Sequence, residues 1–295
     1  MNVLSGLEKY FKQKVEAVDI YENDKVEEAG EPALRRKKAD ASGKTEKAPS
    51  EEEFLLEKSF TCPVCQNTFR SPVLKTSRAR RLQPDQDLRP NFANIDANKY
   101  DVSCCPKCGY SALNRNFATL STLQVKLLKE GIESIFSPEA VKFADSKVFS
   151  YETAIDRYKL ALFNSLVKKG KDSEKAFICL KISWLYRGWL EKLDGESGVD
   201  EKVKSSCEKC ERLYYEKAYE GFVNAIAREN PPICNMDEST LDLLMGSMAY
   251  RLQQYEQASH FISSVLGSKV ASKNAKDRAF DLKELIIEEL HNTKA

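Results

Sequence analysis

Four cysteines stand in two Cys-Pro-x-Cys turns, Cys62-Pro63-Val64-Cys65 and Cys105-Pro106-Lys107-Cys108, the second followed by Gly109-Tyr110. Two thiolates two residues apart on one tight turn both reach a single ion, and a second such turn completes the tetrahedron that Zn²⁺ prefers. Proline sets a backbone angle in each turn, and a glycine just past the second cysteine accepts the positive φ that such turns often need. Gln66 holds the equivalent place after the first turn, which makes that turn the less ideal of the two. The pattern predicts one structural Zn²⁺ held by Cys62, Cys65, Cys105 and Cys108. A hydrolytic zinc site instead keeps an open position and usually includes histidine. The two histidines here, His260 and His291, lie late in the chain on surface-like helix faces.

Other residues offer weaker chemistry. Cys104 directly precedes Cys105 and, on a strand, points the other way, so it reads as a free thiol. Cys207-Glu208-Lys209-Cys210 repeats the spacing at the start of a predicted helix with no second turn nearby. Cys179 and Cys234 can in principle complete a site there, but two small residues one helical turn apart is the simpler account. Between the zinc turns, Lys75, Arg78, Arg80, Arg81 and Arg89 crowd one connection. Arginine suits phosphate and carboxylate alike, which makes Arg78, Arg80, Arg81 and Arg89 the candidate partner-binding residues. Three roles stay open for this loop: internal salt bridging to Asp85 and Asp87, contact with an acidic protein, and contact with nucleic acid. Phe92 is its single aromatic, so platforms for base stacking are scarce. The Asp85 and Asp87 pair as a Mg²⁺ site is a weak signal, and no glycine-rich phosphate loop is present.

The elements that must position these groups fall into four stretches. Residues 1–20 carry Val3, Leu4, Leu7, Tyr10, Phe11, Val15 and Val18 at the spacing of an amphipathic helix, with mixed charge opposite, which favours docking on this protein or a partner over a membrane surface. Residues 21–53 are charged and nearly devoid of apolar side chains, the composition of a disordered linker. The run Arg35-Arg36-Lys37-Lys38 within it reads first as a solvated charge run. Residues 54–117 alternate in short runs beside the zinc turns, which predicts small β-hairpins, a zinc ribbon too small to hold without its metal. Residues 118–295 are helical and repetitive. Tyr151, Ala154, Tyr158 and Ala161 share their offsets with Tyr215, Ala218, Phe222 and Ala225, and with Tyr255, Ala258, Ile262 and Val265. These are the small and large packing positions of tetratricopeptide-like hairpins. Pro231 and Pro232 end the second copy. A last amphipathic helix through Ala279, Phe280, Leu282, Leu285, Ile286 and Leu290 caps the stack. Most tail aromatics, Trp184, Tyr186, Trp189, Tyr214, Tyr215, Tyr219 and Tyr250 among them, read as core. The fold class is therefore α+β, mainly α, with a helical tail expected to keep its structure when the ribbon loses zinc.

The run from Lys99-Tyr100-Asp101-Val102 through Cys105-Pro106-Lys107-Cys108-Gly109-Tyr110-Ser111-Ala112 resembles an uncharacterised bacterial family, a domain of unknown function. Such proteins join an early CPxC turn to a Tyr-Asp-Val…Cys-Pro-x-Cys-Gly-Tyr signature, followed by a tetratricopeptide-like helical tail. The likeness covers residues 58 to about 270. Asn98-Lys99 replaces a proline-containing approach, Ser111 replaces an alanine, and the charged N-terminal extension is additional. The resemblance implies this architecture and metal but no activity.

Composition sets outer limits. The chain has 295 residues, 31% of them charged, a mean hydropathy of -0.50 and a formal charge of +1. No apolar run is long enough to span a membrane and no signal-peptide stretch opens the chain. Nine cysteines, an odd number, suit a reducing, cytoplasmic setting better than a disulfide scaffold. The near-neutral charge gives no global attraction to nucleic acid. The expectation is a non-enzymatic zinc-binding adaptor with an unknown protein partner, no membrane and no evident small-molecule substrate. A nucleic-acid-binding regulator using the arginine loop is the first alternative, and an uncharacterised enzyme the second.

Overall fold

A computed structural model describes residues 3–12, 20–21, 49–140, 147–195, 198 and 200–292. Two small antiparallel sheets carry the cysteine turns. Strands β1 (Leu55–Thr61) and β2 (Thr68–Leu74) pair in a register that sets Phe60 opposite Phe69 and Thr61 opposite Thr68, on either side of the first turn. Strands β3 (Val102–Cys104) and β4 (Ser111–Leu113) do the same around the second, with Cys104 opposite Ser111. Phe60, Phe69 and Phe117 close a ring cluster over them at centroid distances of 5.5–5.9 Å. The expected hairpins and the α+β, mainly α class are borne out.

Seven helices follow among the described residues: α1 (Thr122–Leu128), α2 (Tyr151–Val167), α3 (Asp172–Asp194), α4 (Glu201–Arg228), α5 (Glu238–Arg251), α6 (Tyr255–Gly267) and α7 (Lys273–Asn292). Their starts follow capping chemistry, in which a side-chain oxygen satisfies an orphan N–H. Ser150 accepts from Thr153, Asp200 from Lys202, Asp237 from Thr240, and Ser121 forms a capping box with Gln124. Helices α3 and α4 pack along their length, α5 pairs with α6, and α7 closes on α6. The repeated small positions Ala154, Ala161, Ala218, Ala225 and Ala258 are all buried, which is how backbones come close enough for the larger knobs to interlock. On α7, Ala279, Leu282 and Ile286 face inward, whereas Phe280 and Leu285 from the expected stripe face solvent.

Helix α2 joins the sheets to the stack. Its buried Arg157 donates to Ser71 Oγ on β2 at 3.0 Å and to the Val102 carbonyl on β3 at 2.6 Å, and its guanidinium lies over the Phe149 ring. Burial lowers the Arg157 pKa. Tyr158 donates to the Asn98 carbonyl, and Asn164 donates to the Gly109 carbonyl beside the second cysteine turn. One continuous apolar cluster runs from Leu4 through Cys62, Tyr110 and Leu113 to Leu180, Phe222 and Met248. The sheets share that core with α1–α5, while α6 and α7 close a second cluster on Leu243 and Ala249 of α5.

The N-terminal stretch departs from expectation. Residues 3–12 form a turn, a single 3-10 turn at Glu8–Tyr10 and an extended bridge from Phe11 to Phe136, not an α-helix. Gly6, at φ +85°, turns the chain where a helix would have run on. The apolar residues are buried as expected, against this protein itself. Phe11 packs on Phe163 at 5.2 Å, Tyr214 donates to the Val3 carbonyl, and Lys9 and Tyr10 both bind Asp156. Within the expected linker, Tyr21 is buried and donates to the Lys217 carbonyl. Gly221 permits this, since a Cβ there would lie 1.9 Å from the Tyr21 oxygen. Ser50 and Glu53 form a capping box that seats Phe54. The Arg35–Lys38 run and Val15 and Val18 lie outside the described residues.

A shared core has a consequence for unfolding. Thermal melts followed by tryptophan fluorescence, which reports Trp184 and Trp189 on α3, and by far-UV circular dichroism should coincide in one transition, and a metal chelator should lower both midpoints together. A helical signal that survives chelation unchanged would mean that the stack stands without the sheets.

Candidate metal centre

Each cysteine turn is built on the same hydrogen bonds. In the first, the Gln66 N–H donates to the Cys62 carbonyl and the Cys62 N–H to the Asn67 carbonyl, both at 2.9 Å. In the second, Gly109 donates to Cys105 at 3.0 Å and Cys105 to Tyr110 at 2.8 Å. Both turns place a residue in the left-handed region just past the second cysteine, Gln66 at φ 60° and Gly109 at φ 75°. The difference between them lies in what surrounds that position. Gln66 is exposed, so its side chain costs only backbone strain. At Gly109 a Cβ would come within 2.4 Å of the Phe136 ring, so glycine is required there twice over.

The four sulfurs converge. Cys62 Sγ lies 3.6 Å from Cys108 Sγ, Cys65 Sγ lies 3.6 Å from Cys105 Sγ, and all four fall within 4.8 Å of one another. A tetrahedral ion with metal–sulfur bonds of about 2.3 Å needs sulfurs about 3.8 Å apart, and this spacing fits. Cys62 is fully buried, Cys105 and Cys108 are 1% exposed, and Cys65 reaches the surface in part. Crowding sets the proton affinities against one another. The hydrogen bond to Cys105, with burial, pushes Cys62 up to about 12, and Cys108 is raised by the same causes. Cys105, which accepts from Cys108 and Cys62, is held at about 2. Four thiolates in so small a buried volume require a counter-charge, and a metal cation supplies it while releasing the protons. These four cysteines can therefore hold a metal ion.

Cys104 sits outside the group, as its place on β3 predicts. Its thiol turns toward the Arg157 carbonyl 4.0 Å away, and burial raises its pKa. Cys207 and Cys210 are buried on α4, where burial pushes Cys207 up to about 12. Neither joins a metal-binding group among the described residues. His260 and His291 are exposed on α6 and α7.

The connection between the turns is an ordered finger. Ala93 donates to Arg80, Leu82 to Asn91 and Asp85 to Arg89, which makes residues 80–93 a hairpin whose tip, Asp85–Leu88, closes with Leu88 at φ 65°. The four candidate arginines separate on it. Arg89 is buried, bound to Asp85 at 2.8 Å and to both oxygens of Glu191 on α3 at 2.6 and 2.7 Å. It is thereby removed from the set available to a partner, and internal pairing is its role. Asp85 and Asp87 are occupied as well. Arg187 on α3 reaches Asp87 at 2.8 Å, Asp85 at 3.3 Å and Glu211 on α4 at 3.2 Å, and the Trp184 indole donates to Asp87 at 3.1 Å. An acid pair so engaged is not a Mg²⁺ site. Arg78, Arg80 and Arg81 are exposed at the base of the finger, Arg78 lying 4.0 Å from Glu53. Arg187, Glu191 and Glu211 were invisible as partners in the sequence. Arg187 alone gave a signal, a charge inside the apolar run Trp184–Leu190.

A cavity of about 630 Å³ lies beside the finger's return strand, with Asp96, Lys99, Tyr151 and Trp189 in its wall. Its polar groups are engaged with each other: Asp96 accepts from Asn98 and Tyr151, and Lys99 binds Glu51 at 2.5 Å and the Phe149 carbonyl at 3.1 Å.

Fold and site together define a class: a four-cysteine group able to hold a metal ion, on two small sheets bonded to an α-helical stack. Residues 55–286 match the family described as "Uncharacterized protein conserved in bacteria (DUF2225)", and the chain belongs to it. No curated protein and no solved structure matches the chain. No helix among the described residues is long and apolar enough to cross a membrane.

Two comparisons test the centre. Titration with Co²⁺ should give one thiolate-bound equivalent in wild type and in Cys104→Ser, and none in a Cys62→Ser, Cys105→Ser double variant. Equal loss in Cys104→Ser would reassign a ligand. Gly109→Ala should destabilise by about 2–4 kcal/mol through strain and overpacking, whereas Gln66→Gly should change stability by less than about 1 kcal/mol, both read from denaturant midpoints.

Proposed function

We propose that this protein is a non-enzymatic, zinc-binding adaptor: a structural Zn²⁺ at Cys62, Cys65, Cys105 and Cys108 fixes the sheets and finger beside tetratricopeptide-like helix pairs that bind a protein partner. The observation that carries the reading is the closed, all-sulfur donor set. Four thiolates with three of the cysteines buried fill a tetrahedron and leave no open position for water or substrate, the arrangement of a structural rather than a catalytic zinc. When bound, the ion supplies folding energy and no reaction step. The α3/α4 and α5/α6 pairs, with alanines at their close approaches, support the repeat reading, and repeats of this kind present extended surfaces to proteins.

The exposed Arg80 and Arg81, which have no ion pair among the described residues, favour one second reading, a nucleic-acid contact. Against it, Arg89 is spent internally and the finger's single aromatic, Phe92, is bridged to Arg81 within the hairpin. Affinity for generic single- and double-stranded nucleic acid, measured from low to physiological salt, separates the two. An adaptor should bind more weakly than about 10 μM at physiological salt, near the range of ordinary non-specific binders. Tighter binding that is lost in Arg78→Glu, Arg81→Glu with metal content unchanged would install the regulator instead. Metal analysis of the purified protein should return close to one zinc per chain.

A further inference from the structure

The finger tip makes its contacts as a ligand does, with charged groups and main-chain carbonyls held by side chains from separate helices. Arg187 grips the Asp87 carboxylate at both oxygens, 3.1 Å to Oδ1 and 2.8 Å to Oδ2, beside the Trp184 indole. From α5, Ser247 donates to the Gln86 carbonyl at 2.9 Å. From α7, Arg278 donates to the Asp85 carbonyl at 2.5 Å and to the Gln86 carbonyl at 3.1 Å. One turn on from Ser247, Arg251 holds Glu211 at 2.7 Å, and Glu211 in turn orders Arg187. Trp184, Arg187 and Glu191 lie at the three- and four-residue spacing of one face of α3, so α3, α5 and α7 turn a common face to the tip.

The fit of the tip to that face is incomplete. Arg278 receives only carbonyl oxygens and has no carboxylate partner among the described residues, although it is partly buried. A guanidinium in that state binds an anionic oxygen more strongly than a neutral one. A segment that brought a carboxylate to Arg278 as well as one to Arg187 would gain a charge-assisted pair that the resident tip does not form.

We propose that the face shared by α3, α5 and α7 is a binding site for an acidic protein segment, occupied in cis by the Asp85–Leu88 tip, and that a partner carrying spaced carboxylates engages it by displacing the tip. This rests on the adaptor reading and names the chemistry of its partner. The resident tip has the high effective concentration of an intramolecular ligand, so the site is masked until such a segment competes. Release of the tip also frees Arg187 of two carboxylates and raises the positive charge of the face, which speeds encounter with an acidic partner.

The probe is a fluorescent synthetic peptide of residues 83–88, which carries both aspartates and no basic residue, and the readout is anisotropy with the metal-loaded full chain. An Asp85→Ala, Asp87→Ala double variant, in which the tip is released, should bind the peptide about tenfold or more tightly than wild type, with an affinity that falls as salt rises. Adding Arg187→Ala and Arg278→Ala to that variant should abolish binding, as should replacing both aspartates of the peptide by asparagine. If circular dichroism shows that the double variant has lost its fold, Asp87→Asn alone serves the same comparison, because it removes the charge that Arg187 grips while keeping the side-chain volume. A released variant that binds no better than wild type, or binding that survives loss of both arginines, overturns the proposal. The peptide reports on the face itself and the nucleic-acid titration reports on the adaptor reading, so either can fail visibly without the other.

Discussion

Convergence of four sulfurs on one point is the constraint from which the rest of the molecule follows. Cys65 and Cys105 are 40 residues apart in sequence, and their sulfurs are 3.6 Å apart in space. Closing a loop of that length by a cross-link removes chain entropy from the unfolded state worth on the order of 4 kcal/mol, taking disulfides as the guide. Two two-stranded sheets have too little area to hold themselves, and an ion that binds only the folded arrangement would offset that deficit. Hydrogen bonding among the crowded thiols drives their proton affinities apart, Cys105 down and Cys62 and Cys108 up.

The same closure aims the finger. Its roots are the strand leaving the first cysteine turn and the segment entering the second, so the meeting of the two turns fixes the direction of residues 80–93. At the far end the contacts are ionic and buried. Asp87 is 3% exposed, Arg89 and Glu211 are buried as well, and Arg187 is partly buried. Buried ion pairs contribute little net stability once desolvation is counted, but they penalise every other arrangement, since a displaced tip leaves an uncompensated arginine behind. The network thus specifies position more than it stabilises, and it ties the sheets to α3, α5 and α7 at a second place, well away from the Arg157 and Asn164 bonds of α2.

Much of this was legible in the residue order, for identifiable reasons. The four converging cysteines were, because both members of each turn are local and the chemistry of CPxC is specific. The strands beside them and the helices were too, because alternation and alanine-aromatic spacing report burial at short range. Cys104 could be excluded by strand alternation alone. The N-terminal stretch shows the limit of such patterns: the apolar positions were right and the helix was wrong, because the same residues are buried in a turn and bridge once Gly6 redirects the chain.

What the sequence determined by itself is therefore chemical and local: a four-cysteine site, two hairpins and an α-helical body. The fate of the charged residues was decided only by tertiary structure. Arg78, Arg80, Arg81 and Arg89 share one loop and one side-chain chemistry, yet the last is buried against Glu191 and the others are in solvent. Asp85 is local to Arg89, but Glu191, which takes the other face of the guanidinium, is 102 residues away, and no local period encodes which arginine will meet that acid. Hydrophobic patterns tell a residue to go inside. For a charge, only the neighbours that folding brings can offset the cost of leaving water, and those neighbours exist only once the finger and the helices are in place.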